Sequence, residues 1–139
     1  MPVLALLCAT LAAGCSAVPY DPSRATRPYP FRLHTTEPPA DIQVFRHGGT
    51  LLFNNATLRS FEEVDVWINQ RYVARLAALE AGGQSSVAVS DLWDRWGNGP
   101  IPGGIFRRAR PTPIRLVELQ LDETSPLVGV IVIRTEPAE

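Results

Sequence analysis

The sequence predicts an all-β fold, an antiparallel β-sandwich of about seven short strands with one short helix. Three observations point there. Short β-prone runs recur between turn residues from Asp41 onward. Thirteen Pro and ten Gly break the chain too often for many long helices. Residues 64–68 (Val, Asp, Val, Trp, Ile) alternate with period two, as a half-buried strand should.

Taken in order, the first two runs are 42–45 and 50–53, with His47, Gly48 and Gly49 as the turn between them. Residues 64–68 and 72–76 form the next pair. A helix over 72–81 competes, because that stretch is rich in helix formers and Gly82 and Gly83 could cap it. The alternation of the preceding strand favours a hairpin. A two-residue turn at Asn69 and Gln70 sets Ile68 opposite Arg71, Trp67 opposite Tyr72 and Val66 opposite Val73. A strand at 86–89 follows. The short helix is expected over 90–96, with Ser90 as N-cap, Asp91 in the first turn and Gly97 at the C′ position. The runs 114–121 and 127–134 complete the set. The second is apolar from Leu127 to Ile133 apart from Gly129, as in a strand covered on both faces. No internal repeat is present.

A chain of 139 residues supports one domain. Apolar residues make up 45% and charged residues 19%, outside the range of a wholly disordered chain. A formal net charge of −1 argues against a nucleic-acid binder or a polycationic membrane coat. All thirteen basic residues are Arg, so Schiff-base chemistry and a Walker lysine are excluded.

The first fifteen residues have a different texture. Residues 3–13 are uninterruptedly apolar or small, and eleven residues are too few to cross a bilayer core, which takes about 20 in a helix. The length is that of a signal-peptide h-region. Leu11, Ala12, Ala13, Gly14 and Cys15 follow, a run that resembles the lipobox of bacterial lipoproteins. The resemblance implies removal of residues 1–14 and acylation of Cys15 as the new N-terminus, with the membrane as a partner. Ser16 after the Cys implies the outer membrane, facing the periplasm. Cys8 would leave with the signal and Cys15 would be capped by lipid, so no thiol remains for redox chemistry.

Residues 15–40 read as a lipid-anchored, Pro-rich tether to a domain spanning 41–139. Six prolines between Ser16 and Ala40 favour extended backbone, and at about 3.1 Å per residue the segment could reach roughly 75 Å. Alternatively Tyr20, Tyr29 and Phe31 hold part of it against the domain; the sequence leaves both open. Residues 67–73, then 79–83 and 87–92, resemble small immunoglobulin-like envelope modules, a likeness that implies a hairpin, a Gly turn and a further strand but no function.

Sites for chemistry are sparse. His34 and His47 lack paired metal-ligand spacing, and no free Cys remains, so neither a metal nor a cofactor is expected. There is no G-x-S-x-G elbow around Ser85. Glu62 with Glu63, or Asp91 with Asp94, could support hydrolysis by paired carboxylates, but solvated charge explains both pairs more simply. Asn55 to Thr57 matches a glycosylation acceptor that a bacterial lipoprotein would rarely use. Residues 97–104 are Gly-rich, yet their two prolines remove amides a phosphate cradle needs. Trp93 and Trp96 are expected to plug one end of the core, the alternative being a carbohydrate or partner platform.

One charge cluster stands out. Arg107, Arg108, Arg110 and Arg115 fall within nine residues without an acid, beside Phe106. Guanidinium forks bind phosphate and carboxylate bidentately, so these five residues are the candidate contact for an anionic envelope partner, against the reading of a solvated loop. The sequence therefore predicts a non-enzymatic binding or assembly module of the envelope, with a small periplasmic hydrolase as the competing reading.

Overall fold

A computed structural model of the chain describes residues 18–102 and 109–134. Its strands are β1 Ala40–His47, β2 Thr50–Asn55, β3 Phe61–Ile68, β4 Tyr72–Leu79, β5 Gln84–Ala88, β6 Val117–Gln120 and β7 Val128–Ile133. Each overlaps one run read from the sequence, and the all-β class stands. The strands form one mixed sheet in the order β4-β3-β6-β7-β1-β2-β5, not two separate antiparallel layers. The reason lies in β7. It pairs antiparallel with β6 through Val128 and Gly129, then parallel with β1 through Ile131, Val132 and Ile133, so one strand joins what would be two sheets. The end strands β4 and β5 come into contact, and the sheet curls into a nearly closed barrel. Trp93 helps close the gap, exchanging backbone hydrogen bonds with Val73 of β4 at 3.1 and 3.3 Å.

The expected helix at 90–96 is a correction. Only a 3-10 turn, Val89–Asp91, forms there, and its N-cap is Ala88. Six or seven residues make a poor isolated helix, and two local competitors win. Trp93 pairs with β4, and the Asp94 carboxylate takes the amides of Trp96 at 2.9 Å and Asn98 at 2.8 Å. The Trp67–Tyr72 pairing is off by one residue: Trp67 faces Val73, and Ile68 faces Tyr72. Asn69 and Gln70 are both left-handed, at φ +53 and +56, and Arg71 adds a third residue to the connection. The helix alternative over 72–81 is replaced by β4.

Inside the curl, Ile42 and Val44 of β1, Leu51 and Phe53 of β2, Val64, Val66 and Ile68 of β3, and Val117 and Leu119 of β6 make the main core. By strand alternation Trp67, Glu118 and Gln120 face outward. They are nevertheless buried, because the Pro-rich segment lies across them. Tyr29, Leu33, Trp67, Val73 and Leu127 form a second small core beneath it. Of the two arrangements left open for this segment, residues 19–39 adopt the packed one. Tyr29 does the holding, while Tyr20 and Phe31 stay exposed.

The outward polar side chains of β3 and β6 under this strap have partners. Glu118 accepts from the Tyr29 hydroxyl at 2.7 Å and lies 2.8 Å from His34 Nδ1. Gln120 Oε1 accepts from Trp67 Nε1 and Arg27 Nη2, both at 2.8 Å. Arg27 also pairs with Asp65 and lies over the Trp67 ring. The strap is thus a fitted layer, since leaving Glu118 or Gln120 buried without partners would cost several kcal/mol.

Candidate functional site

The inner rows of β1 and β7 end in charge at one mouth of the barrel. Ile42 and Val44 are followed by Arg46, and Val130 and Val132 by Arg134. Val44 is in register with Val132 on the parallel neighbour, so Arg46 and Arg134 leave the sheet side by side. Arg115 enters from the segment before β6. Together they rim a groove of about 580 Å³. Its floor is apolar, with Val44, Leu51, Ile114 and Val132, and Pro111 and Pro113 form a wall. No carboxylate lines it among the described residues.

Arg46 is the most informative of the three. It is half-buried, and loss of hydration lowers its pKa from the ordinary arginine value. Its guanidinium donates to the carbonyls of Gly48 at 3.2 Å, Ile101 at 3.3 Å and Thr112. These bonds staple the chain on both sides of the 103–108 segment, and Ile101 and Thr112 add two bonds of their own. Carbonyls satisfy its donors but do not neutralise its charge. Arg115 and Arg134 have no acidic partner among the described residues. A partly dehydrated cation beside two more, above an apolar floor, favours a ligand with an anionic head and an apolar body.

Of the residues singled out by the sequence, Arg115 lines this groove. Arg110 is exposed outside it. Phe106, Arg107, Arg108 and Cys15 lie outside the described residues. Arg46 and Arg134 were missed; their only sequence signal is that each continues an apolar alternation by two residues.

The carboxylates considered for hydrolysis do not converge. Glu62 and Glu63 are exposed on β3, where Glu62 faces Ala78. Asp94 follows Trp93, which pairs with Val73, five residues along β4 from Ala78, or roughly 16 Å at strand rise. Asp94 is fully buried and its oxygens are consumed by Arg71 and two amides. Burial pushes its pKa up, but the Asn98 amide, Arg71 and the Trp96 amide outweigh that and hold it below the usual carboxylate value. Asp91 is exposed. His47 is exposed on β1, and no cluster of potential metal ligands occurs among the described residues. Asn55 is buried with its amide on the carbonyls of Arg59, Leu79 and Glu80, which makes it a structural group. Trp93 is half-buried and Trp96 exposed, so they do not jointly plug the core.

Comparison with protein-family models, with curated proteins and with solved structures found no match to this chain.

Proposed function

We propose that this protein is a non-enzymatic, lipid-anchored binding module of the bacterial envelope, whose basic barrel mouth takes the head group of an anionic lipid. The observation that carries this reading is Arg46, half-buried above an apolar floor, with carbonyl partners and two further arginines beside it.

Connectivity supports the same reading. The Pro19 carbonyl accepts from the Gly99 amide at 2.9 Å, and Ile101, two residues on, is bonded to Arg46. The start of the packed strap is therefore on the groove's side of the fold. Only three peptide links separate Cys15 from Val18, at most about 11 Å of chain. A lipid on Cys15 would hold the arginine rim close to the lipid surface, not on a long spacer.

The test is sedimentation of the purified Cys15→Ala chain, which carries no lipid, with vesicles of phosphatidylglycerol, against phosphatidylcholine, over a salt series. Exposed charges are screened beyond about 8 Å at physiological ionic strength, so binding should fall with salt. Changing Arg115 and Arg134 to Gln, with Arg46 left in place as a staple, should weaken binding by about tenfold. Equal binding of both proteins, or binding independent of salt, would defeat the proposal. Anchoring is tested separately by Cys15→Ala, which should remove the salt-resistant part of membrane partition and leave only the salt-sensitive binding of the basic mouth.

A further inference from the structure

A second surface, built from the strap and the loop after β5, has the composition of a sugar site. Phe31 and Trp96 are 69% and 54% exposed, and they flank one cleft of about 490 Å³. Tyr29 lies at its wall, with Gln70, Arg71, Arg95 and Asp94 as polar lining, the Asp94 carboxylate being buried and already satisfied by Arg71 and the Trp96 and Asn98 amides. Such an open pair of large rings is costly to leave in water unless something covers it.

Both rings are held by their surroundings. Phe31 sits in a 3-10 turn closed by Leu33 N–H to Pro30 C=O at 2.9 Å, with its ring edge-on to Tyr29 at 4.8 Å. The amide of Trp96 is fixed on Asp94, and Gly97 closes that loop at φ +83. A Cβ at Gly97 would come within 2.3 Å of the Asp21 carbonyl, so loop and strap are packed backbone on backbone. Fixed rings lower the ordering cost of a ligand.

The polar groups decide the ligand class. Arg71 spends Nε and Nη2 on Asp94 and leaves Nη1 without a hydrogen bond among the described residues. Arg95 lies 4.1 Å from the centroid of the Trp96 ring and has no carboxylate partner among the described residues. Gln70, on a left-handed turn, hydrogen-bonds the Tyr29 hydroxyl through its side chain and keeps its second amide proton and its carbonyl oxygen for a ligand. Several donors, one acceptor and one uncompensated positive charge call for an oxygen-rich ligand with an anionic group. Exposed rings call for one with a flat C–H face.

We infer that this cleft binds an acidic sugar, its ring face on Trp96 or Phe31, its hydroxyls on Gln70 and Arg71, and its carboxylate on Arg95. A proline-rich peptide is the weaker occupant, because such peptides lie along a series of aromatic ridges, and here two rings face a single cleft.

The experiment titrates the purified full chain in detergent with trigalacturonic acid, maltotriose and a decaproline peptide, read by calorimetry and tryptophan fluorescence. Trigalacturonate should bind with a Kd on the order of 0.1–1 mM, several-fold tighter than maltotriose. Trp96→Ala should weaken it by about tenfold or more. Arg95→Gln should abolish the preference for the acidic sugar while retaining weak binding of both. Both side chains are exposed, so melting temperatures should change little, and binding to phosphatidylglycerol vesicles should be unaffected. No saturation by trigalacturonate at about 20 mM, unchanged binding in Trp96→Ala, or tighter binding of decaproline than of either sugar would overturn the inference.

Discussion

Asp94 is the joint between hairpin, loop and strap, and replacing it should be the most damaging single polar substitution in the protein. Its carboxylate takes Arg71 Nε at 2.9 Å and Nη2 at 2.8 Å, together with the amides of Trp96 and Asn98. Asp94→Ala leaves the two amides without their acceptor, at about 1 kcal/mol each. Arg71 is half-exposed and regains water, so its loss is discounted to about 0.5–1 kcal/mol. The sum is about 3 kcal/mol, a fall in Tm on the order of 10–15 °C for a domain of this size. Asp94→Asn keeps one oxygen for the amides but turns an NH₂ toward Arg71, and should cost about half as much. The pH dependence follows from the lowered pKa of Asp94. The folded carboxyl holds its proton less tightly than the unfolded one. Its contribution is therefore complete above the ordinary value of 3.8 and is lost as pH falls below it. Urea unfolding at pH 7 and at steps below pH 4 measures this, and the gap between wild type and Asp94→Asn should narrow as acid is added. A cost under about 1 kcal/mol for Asp94→Ala, or a gap that stays constant into acid, would refute the reasoning.

Tyr29→Phe should cost about 1–2 kcal/mol, because buried Glu118 loses its hydroxyl donor, and hydrogen exchange at the Leu127 amide, which bonds the strap at Leu33, should accelerate. Burial first, then the hydrogen bond and charge of Glu118, pushes the Tyr29 hydroxyl well above its ordinary value near 10. The neutral phenol is favoured in the fold, so this stability is intact below pH 10 and falls as pH rises beyond it. Tyr72, raised by burial, adds to the same trend, and Tyr29→Phe should make alkaline unfolding shallower without abolishing it. Gln70→Gly should raise Tm by roughly 4 °C, since a left-handed non-glycine residue costs about 1 kcal/mol, and unchanged or lower Tm would show that the Gln70 side chain outweighs the strain. A twenty-residue Gly-Ser spacer inserted after Ser16 should let the domain move about 25 Å from its anchor, and salt-sensitive contact with anionic membranes should drop as the effective concentration falls.

The strands were legible because their signals are local. Alternation in β3, the apolar run of β7 and the Gly48–Gly49 turn each sit within a few residues. Neighbours in the sheet are not local, and nothing in residues 127–134 says that the last strand will join β6 to β1 in parallel. The register error at Asn69 and Gln70 has a similar origin, because Gln70 does not announce a left-handed backbone as Gly would. At 90–96 the same residue types, Ser and Asp, signal both helix caps and side-chain turns. The tertiary pairing of Trp93 with Val73 decided between them.

A covered outer face was written in the sequence in a form that needs two strands to read. Trp67 lies on the polar side of an alternating strand, and Glu118 and Gln120 alternate with Val117 and Leu119. Each pattern alone reads as a solvated face with one stray aromatic. Paired in register, Trp67 opposite Glu118 and Asp65 opposite Gln120, they form an aromatic and polar surface that needs matching partners. The Pro-rich segment carries those partners at Arg27, Tyr29 and His34. Prolines suit that task, because a layer lying on the outer face of a sheet has no strand to hydrogen-bond with, and each proline removes an amide that would otherwise need one. The same density of proline that suggested a spacer therefore serves a strap, and the strap carries Phe31 to one side of the aromatic cleft. The basic mouth depends on the other ends of β1 and β7, so the two surfaces can be disabled one at a time.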